Sequence, residues 1–422
     1  MMKKSWFFQV AFAGLGLLLA ASMAQGAGFA LYEGSARGNA LGGSLVGRAD
    51  DPSALYYNPA GITQLPGTQF MAGATIIYPK ADVVTLSPSG KTSTETESNT
   101  FFPPHLYSTY QMGESVWLGL GVYSRFGLGT EYDDDWPGKY NIYKAFVETL
   151  SVNPNVAFKV TDELSLAAGV SAVRLDLELK QKIPTDAGDV DQELTGDDWG
   201  YGYNLAAHYK ACDWMSLGVS YVSEVDQNAK GDAHFVKPAV PALDPVFNDT
   251  DVSGDITLPD MVFMGVALYP ADRWSLEFNA IWTGWSDYDA LVIEYDSFIA
   301  VDPNTGVPIT AVAREKDWDD VWRFQVGVEY KATDWLDLRL GYVFDESPVP
   351  DSRADYLIPT EDRQLYCIGC GIHWDAWVVD LSYTYLESDT RTVAARPDEG
   401  IFPSEFEDGY THLVGVSVGY TF

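Results

Sequence analysis

Taken at every second position, the end of the chain separates into two unlike sets. Tyr410, His412, Val414, Val416, Val418, Tyr420 and Phe422 form one; Thr411, Leu413, Gly415, Ser417, Gly419 and Thr421 form the other. Side chains of a strand alternate between its faces. The pattern therefore predicts one strand with an apolar face bounded by aromatic rings and a face of mostly small or polar groups. From Tyr410 to Tyr420, at ~3.3 Å per residue and a tilt near 45°, the strand rises roughly 25 Å, the height of the apolar band of an outer-membrane barrel. Strands of soluble proteins usually run only ~5–6 residues. This is read as a transmembrane strand.

The same alternation recurs from Gly67 onward, near 67–80, 100–112, 115–129, 144–160, 163–180, 198–211, 213–229, 255–270, 272–288, 314–331, 333–346, 361–374, 376–390 and 407–422, fourteen runs in all. Their connections alternate between tight and long. Tight ones fall near Gly113-Glu114, Thr161-Asp162, Cys212-Asp213, Ala271-Asp272, Ala332-Thr333-Asp334 and Asp375-Ala376; long ones run about 81–99, 130–143, 181–197, 230–254, 289–313, 347–360 and 391–406. Short turns on one rim and long loops on the other are the asymmetry of outer-membrane barrels. Trp117, Trp214, Trp274, Trp335 and Trp377 follow five of the tight turns and read as an interfacial girdle at the periplasmic rim, although not all five fall on the lipid-facing parity. An even strand number closing on itself leaves no unpaired edge in lipid. The predicted fold is all-β: a 14-stranded antiparallel transmembrane β-barrel over 67–422.

Residues 27–66 break the pattern. They are glycine-rich without alternation, yet Leu31, Leu41, Leu45, Val46, Leu55, Tyr56 and Tyr57 are too many apolar groups for a disordered arm. The expectation is a compact irregular hatch inside the barrel, with Asn58-Pro59-Ala60 fixing a turn, since proline sets its own φ and biases the preceding residue away from helix. Residues 1–26, with Lys3-Lys4, an apolar core and Ala24-Gln25-Gly26, read as a secretory signal peptide. The mature N-terminus and Phe422 are then expected on the periplasmic side.

Composition narrows the function. A formal net charge of −34 argues against nucleic acid as a partner. Cys367 and Cys370 have C-x-x-C spacing, but on a strand they point to opposite faces, beyond disulfide reach. Gly415-Val416-Ser417-Val418-Gly419 matches a nucleophile elbow in letters only: it lies inside a strand, where that motif needs a strand-to-helix turn, and His412 is on the opposite face. His105, His208, His234 and His373 show no metal-ligand spacing. Asp133-Asp134-Asp135 reads as a solvated loop because nothing fixes further Ca²⁺ ligands. No enzyme, cofactor or metal is expected. Phe126, Gly127, Leu128 and Gly129 interrupt the third strand, and glycine inside a strand marks a bulge, a bend or a close approach.

Taken together and in order, several stretches resemble the outer-membrane transporters of long-chain fatty acids and aromatic hydrocarbons, the FadL/TodX group. They are Ala27-Gly28-Phe29, Asn58-Pro59-Ala60, Ser87-Pro88-Ser89-Gly90, Gly127-Leu128, Leu258-Pro259, Trp285-Ser286, Phe344 to Pro350, and Asp362-Arg363. The resemblance implies a hatch-plugged fourteen-stranded barrel in the outer membrane of a Gram-negative bacterium. It implies passive transport through a bent third strand that opens sideways. Phe126 to Gly129 would form that opening, and Phe29 would meet ligand just inside it. Arg174, Lys180, Phe235, Val236 and Phe247 are the further candidates for ligand contact, with Arg314 or Lys316 as alternative partners for a carboxylate. The third long loop is short for the fatty-acid branch, which leaves a neutral aromatic ligand open beside a fatty acid. A general porin is disfavoured by the insert at 27–66; a structural or adhesion barrel is the remaining alternative. Expected surroundings are outer-membrane lipid and lipopolysaccharide, with the assembly machinery reading Phe422 and the barrel acting as a monomer.

Overall fold

The computed structural model describes residues 28–302, 305–358 and 361–422, so the segment read as a signal peptide lies outside the described residues. Fourteen wall strands follow in order. They are β1 Thr68–Ser87, β2 Pro104–Gln111, β3 Val116–Tyr123 with Gly127–Glu131, β4 Lys144–Lys159, β5 Leu164–Ile183, β6 Val190–Cys212 and β7 Met215–Val222 with Val225–Val236. Then come β8 Thr250–Leu258 with Met261–Ala271, β9 Trp274–Thr283 with Ala290–Tyr295, β10 Ala311–Glu315 with Val321–Thr333, β11 Leu336–Asp345, β12 Arg363–Trp374, β13 Trp377–Ser388 and β14 Ser404–Thr421. All neighbours pair antiparallel, and β14 returns to β1 with Tyr420 opposite Phe70 and Ser404 opposite Thr85, which closes the barrel.

Parity in β14 is as the sequence alternation requires. Gly415, Ser417 and Gly419 are buried inward, while Val416 and Val418 are exposed on the outer face. Cys367 is buried and Cys370 half-buried on the opposite face, and both are free thiols. Trp214, Trp274, Trp335 and Trp377 are exposed as a girdle requires. Trp117 is not part of it. It shares inward parity with Gly119 and Gly121, is buried, and donates its indole N–H to the Leu65 carbonyl at 2.7 Å.

Several boundaries differ from the periodicity. β5 and β6 run on as a paired ribbon to Ile183 and Val190, so the third long connection shrinks from 181–197 to 184–189. The alternation is polar there, as expected for wall that rises beyond the apolar band. β3, β7, β8, β9 and β10 are each interrupted, and β9 carries a 3₁₀ turn, Trp285–Asp287, within its break. In lipid such breaks need substitute partners for the backbone.

The N-terminal segment supplies many inward contacts. α1 (Ala36–Ala40) has Ser35 as its N-cap, and α2 (Ala54–Tyr57) leads into a 3₁₀ turn, Pro59–Gln64. Asn58 is extended, caps that turn through Ala60 N–H at 3.2 Å, and donates to the carbonyls of Val46 and Ala207 at 2.9 and 3.0 Å. Gly47 lies against the β8 backbone, where a Cβ would sit 2.8 Å from Ala267 N and 3.0 Å from the Gly265 carbonyl, so only glycine allows that approach. The chain from Phe29 does not start on the rim of Phe422. It begins beside the β3 break and descends, reaching that rim only at β1, where Phe422 N–H meets the Thr68 carbonyl at 2.9 Å.

Candidate functional site

The site grows from the break in β3. Pairing between β2 and β3 stops at His105–Tyr123, whereas the upper piece of β3 pairs with β4 from Gly127–Glu148 to Glu131–Lys144. In the break both Arg125 and Phe126 are buried, so the strand swings inward. Arg125 holds it there. Its guanidinium lies 4.1 Å from the Tyr56 ring centre and 5.2 Å from that of Tyr123, and it donates to the Tyr56 carbonyl at 3.0 Å.

Backbone groups released by the swing are met from inside. Gly127 N–H donates to the Phe29 carbonyl and Leu31 N–H to the Arg125 carbonyl, each at 2.8 Å. Residues 29–31 thus act as a short strand laid against β3. Phe29 anchors it: its ring sits 4.7 Å from Trp285, 5.9 Å from Phe126, and 6.1 Å from both Tyr288 and Trp318. Trp285 comes from the break in β9 and Trp318 from that in β10, so the interruptions of three strands converge on one aromatic box.

A cavity of about 590 Å³ opens at this point. Phe29, Phe101, Gly127, Gly129 and the inward-facing Leu413 line it, but so do Leu150 and Arg174, which lie on the outer face of β4 and β5. The cavity therefore passes through the wall between β2 and β4. Gly129 is the glycine this opening needs most, because a Cβ there would overlap the Phe101 ring. At Gly127 the nearest atom to a Cβ would be Leu31 Cδ1 at 3.0 Å, a movable side-chain end. A second, narrower apolar cavity, lined by Phe29, Leu128, Val147, Leu177, Tyr288 and Leu357 among others, lies deeper in the lumen.

The other candidates separate by parity. Arg174 and Lys180 share the outward face of β5 with Leu166 and Val170. Arg174 pairs with Asp176 and Asp197 at 2.8 and 2.7 Å, and Lys180 with Glu178 and Glu193, both at 3.1 Å. Arg174 borders the wall cavity; Lys180 lines neither cavity. Phe235, near the end of β7, and Phe247, in the loop that follows, are buried with ring centres 5.9 Å apart, and Val236 is exposed; none of the three lines these cavities.

Arg314 and Lys316 are basic groups on the inward side. Arg314, opposite Leu291 of the apolar cavity, donates to the Asn141 carbonyl at 3.1 Å and to Gln181 Oε1. These are neutral oxygens. Lys316 is buried against Asp355 at 2.5 Å. Burial alone would raise the Asp355 carboxyl, yet the neighbouring Lys316 and Arg314 charges hold it below the usual value. Ser417, the elbow-like serine, meets His105 Nε2 at 2.8 Å, a pairing the motif did not suggest. It is fully buried and accepts Ala36 N–H at 2.8 Å, so this pair pins α1 to the wall.

A second set of missed residues ties the N-terminal segment to the lower barrel. Glu329 accepts from Arg37 at 3.0 Å, Arg48 at 3.1 Å and Arg339 at 2.7 Å, and Arg339 also reaches Asp380 at 2.5 Å. Burial lowers the Arg37 guanidinium's affinity for its proton, but Asp50, Glu329 and Asp51 outweigh it and leave the group firmly charged.

A closed barrel with long loops on one rim, an internal N-terminal segment and an apolar cavity cut through the wall defines an outer-membrane channel. The comparisons agree. Residues 17–422 match the family described as outer membrane protein transport protein (OMPP1/FadL/TodX), and the chain belongs to that family. The family is one of transport proteins in the outer membrane and not of enzymes. A putative outer membrane protein of Neisseria meningitidis serogroup B is 28% identical over 97% of both chains. The long-chain fatty acid transport protein of Escherichia coli (strain K12) is 26% identical over the full length of both. Among solved structures, a Pseudomonas aeruginosa FadL homologue superposes with a TM-score of 0.73 at 20% identity, over 95% of this chain and 99% of that one. The Pseudomonas putida toluene transporter TodX gives 0.70 at 18% identity, over 94% and 99%.

Proposed function

We propose that this chain is a passive uptake channel for hydrophobic molecules, foremost long-chain fatty acids, which leave sideways through the break in β3 into the membrane. Residues 28–66 serve as a hatch that bars the straight route to the periplasm. The carrying observation is the 590 Å³ cavity whose lining joins inward Leu413 to outward Leu150. Each CH₂ gains about 0.8 kcal/mol on leaving water, so exit into lipid is downhill where aqueous exit is not.

Arg314 supports an acid head group. It is an inward cation that donates to neutral oxygens and feels the Asp355 charge without a direct hydrogen bond to it, beside a cavity of leucine, valine and isoleucine suited to an acyl chain. The fatty-acid function of the Escherichia coli relative points the same way. A monoaromatic hydrocarbon is the second reading, favoured by the box of Trp285, Tyr288 and Trp318 that already receives one phenyl ring, that of Phe29. The exposed Phe422 suits recognition by the barrel-assembly machinery. Mass spectrometry of hydrophobic molecules that co-purify, followed by uptake of labelled oleate and toluene, decides between the ligands. Uptake of neither, with general conductance to sugars and ions, would contradict both.

A further inference from the structure

The wall beside the break carries a proline where a membrane strand needs an N–H. The β4–β5 register runs to Val152–Ala172 and resumes at Asn155–Gly169, so Pro154 falls opposite Val170. Pro154 itself faces outward. Lipid offers the Val170 carbonyl no replacement donor. Asn153 does: its Nδ2 donates to that carbonyl at 2.8 Å.

The repair is larger than one carbonyl requires. Asn153 Nδ2 also donates to Asn204 Oδ1 of β6 at 2.8 Å, with Ser171 Oγ of β5 a third oxygen around its two hydrogens at 2.9 Å; Asn204 Nδ2 donates to Asn155 Oδ1 at 2.7 Å, and Asn155 Nδ2 to Asn153 Oδ1 at 2.7 Å. Three buried amides thus close a ring, head to tail, across β4 to β6. They meet over Gly169 of β5, where a Cβ would overlap Asn155 Oδ1 and lie 2.6 Å from Asn204 Oδ1. The lower piece of β3 already pairs with β4 through the backbone, Gly119 opposite Asn155 and Gly121 opposite Asn153; the side-chain link from this ring to the end of that piece is Tyr123, whose hydroxyl donates to Asn153 Oδ1 at 3.2 Å. Tyr123 ends the lower piece of β3, and the strand leaves the sheet at the next residue.

We propose that the Asn153–Asn155–Asn204 ring is the fixed post of the side opening, and that Asn153 and Tyr123 are positioning residues which set where β3 leaves the wall. This rests on the lateral route proposed above. Unpaired strand edges are penalised in lipid, so a released β3 re-pairs with β2 and the gap narrows. Tying Tyr123 to three uninterrupted neighbouring strands opposes that closure. Arg125, held to Tyr56, draws the next residues inward from the same pivot.

The test uses the full-length chain in outer membranes: uptake of labelled oleate is measured on barrels without spin labels, and the gap distance separately on barrels spin-labelled at Phe102 and Leu128. Tyr123→Phe removes one hydroxyl and leaves the amide ring whole. Asn153→Leu/Pro154→Ala breaks the ring but returns a backbone donor to Val170, which separates carbonyl repair from bracing. Both variants are expected to keep the heat-sensitive gel mobility of a folded barrel and to show a shorter label distance. Uptake should fall up to about tenfold, the equivalent of one hydrogen bond near 1.4 kcal/mol. Wild-type uptake and distance in folded Tyr123→Phe, or their return in the double variant, would overturn the proposal. A Phe101→Cys/Gly129→Cys barrel is run alongside. If it imports oleate while oxidised, the lateral route fails; if it is blocked while Tyr123→Phe behaves as wild type, only the bracing role fails.

Discussion

Phe29→Ala tests how the wall cavity is closed from inside. The ring is buried and meets four aromatic neighbours at 4.7 to 6.1 Å. Truncating a core phenylalanine costs about 3–5 kcal/mol. The two backbone bonds between residues 29–31 and β3 contribute about 0.5–1.5 kcal/mol each, so they cannot retain the segment alone. At 3 kcal/mol the bound fraction shifts by about 100-fold. Release should stop near Leu31, whose carbonyl accepts the Tyr56 hydroxyl, and should leave α1 and α2 in place. The expected outcome in planar bilayers is a higher baseline conductance, with residues 34–66 still protected from protease. Phe29→Leu, which keeps most of the volume, should leak less. A folded Phe29→Ala barrel as tight as wild type would refute the reasoning.

Other consequences follow from single contacts. Gly129→Val overlaps the Phe101 ring, an overpacking penalty of about 1–3 kcal/mol; it should reduce oleate uptake more than Gly127→Val in whole-cell assays while gel mobility stays that of a folded barrel. Glu329→Gln takes from Arg37, Arg48 and Arg339 their shared carboxylate while Asp50, Asp51, Glu277 and Asp380 remain, so the loss should fall short of the roughly 3–5 kcal/mol of a fully unpaired buried charge; trypsin should reach Arg37 and Arg48 at lower urea than in wild type. The Asp355 carboxyl is held below its ordinary value, so its pairing with Lys316 contributes fully above the unfolded pKa and is lost as pH falls through the folded one. Protease resistance of the 346–358 loop should therefore be flat from pH 8 to 5 and drop only below about pH 4.

Much of the wall was legible because lipid enforces alternation. Tyr410 to Phe422 announced their two faces, and Gly127 and Gly129 announced a break. Parity was also present for two candidates for ligand contact: Arg174 and Lys180 stand on the same phase as Leu166 and Val170, which puts them on the outer face, where Arg174 borders the wall cavity. Trp117 likewise shares the phase of Gly119 and Gly121. What local pattern could not carry is long-range pairing. Glu329 meets Arg37 across 292 positions, and Ser417 meets His105 across 312. The breaks that bring Trp285 and Trp318 together look in sequence like ordinary strand and loop. Asn153-Pro154-Asn155 reads as a poor strand until Asn204 and Val170 are placed beside it.

The most direct test of the lateral route is the Phe101→Cys/Gly129→Cys barrel, in a background with Cys212, Cys367 and Cys370 replaced by serine. Initial oleate uptake is measured oxidised and then after reduction, on barrels of folded gel mobility. Loss of uptake in the pinned form and its recovery on reduction are the predicted result. Wild-type uptake by the fully oxidised, folded barrel would contradict it.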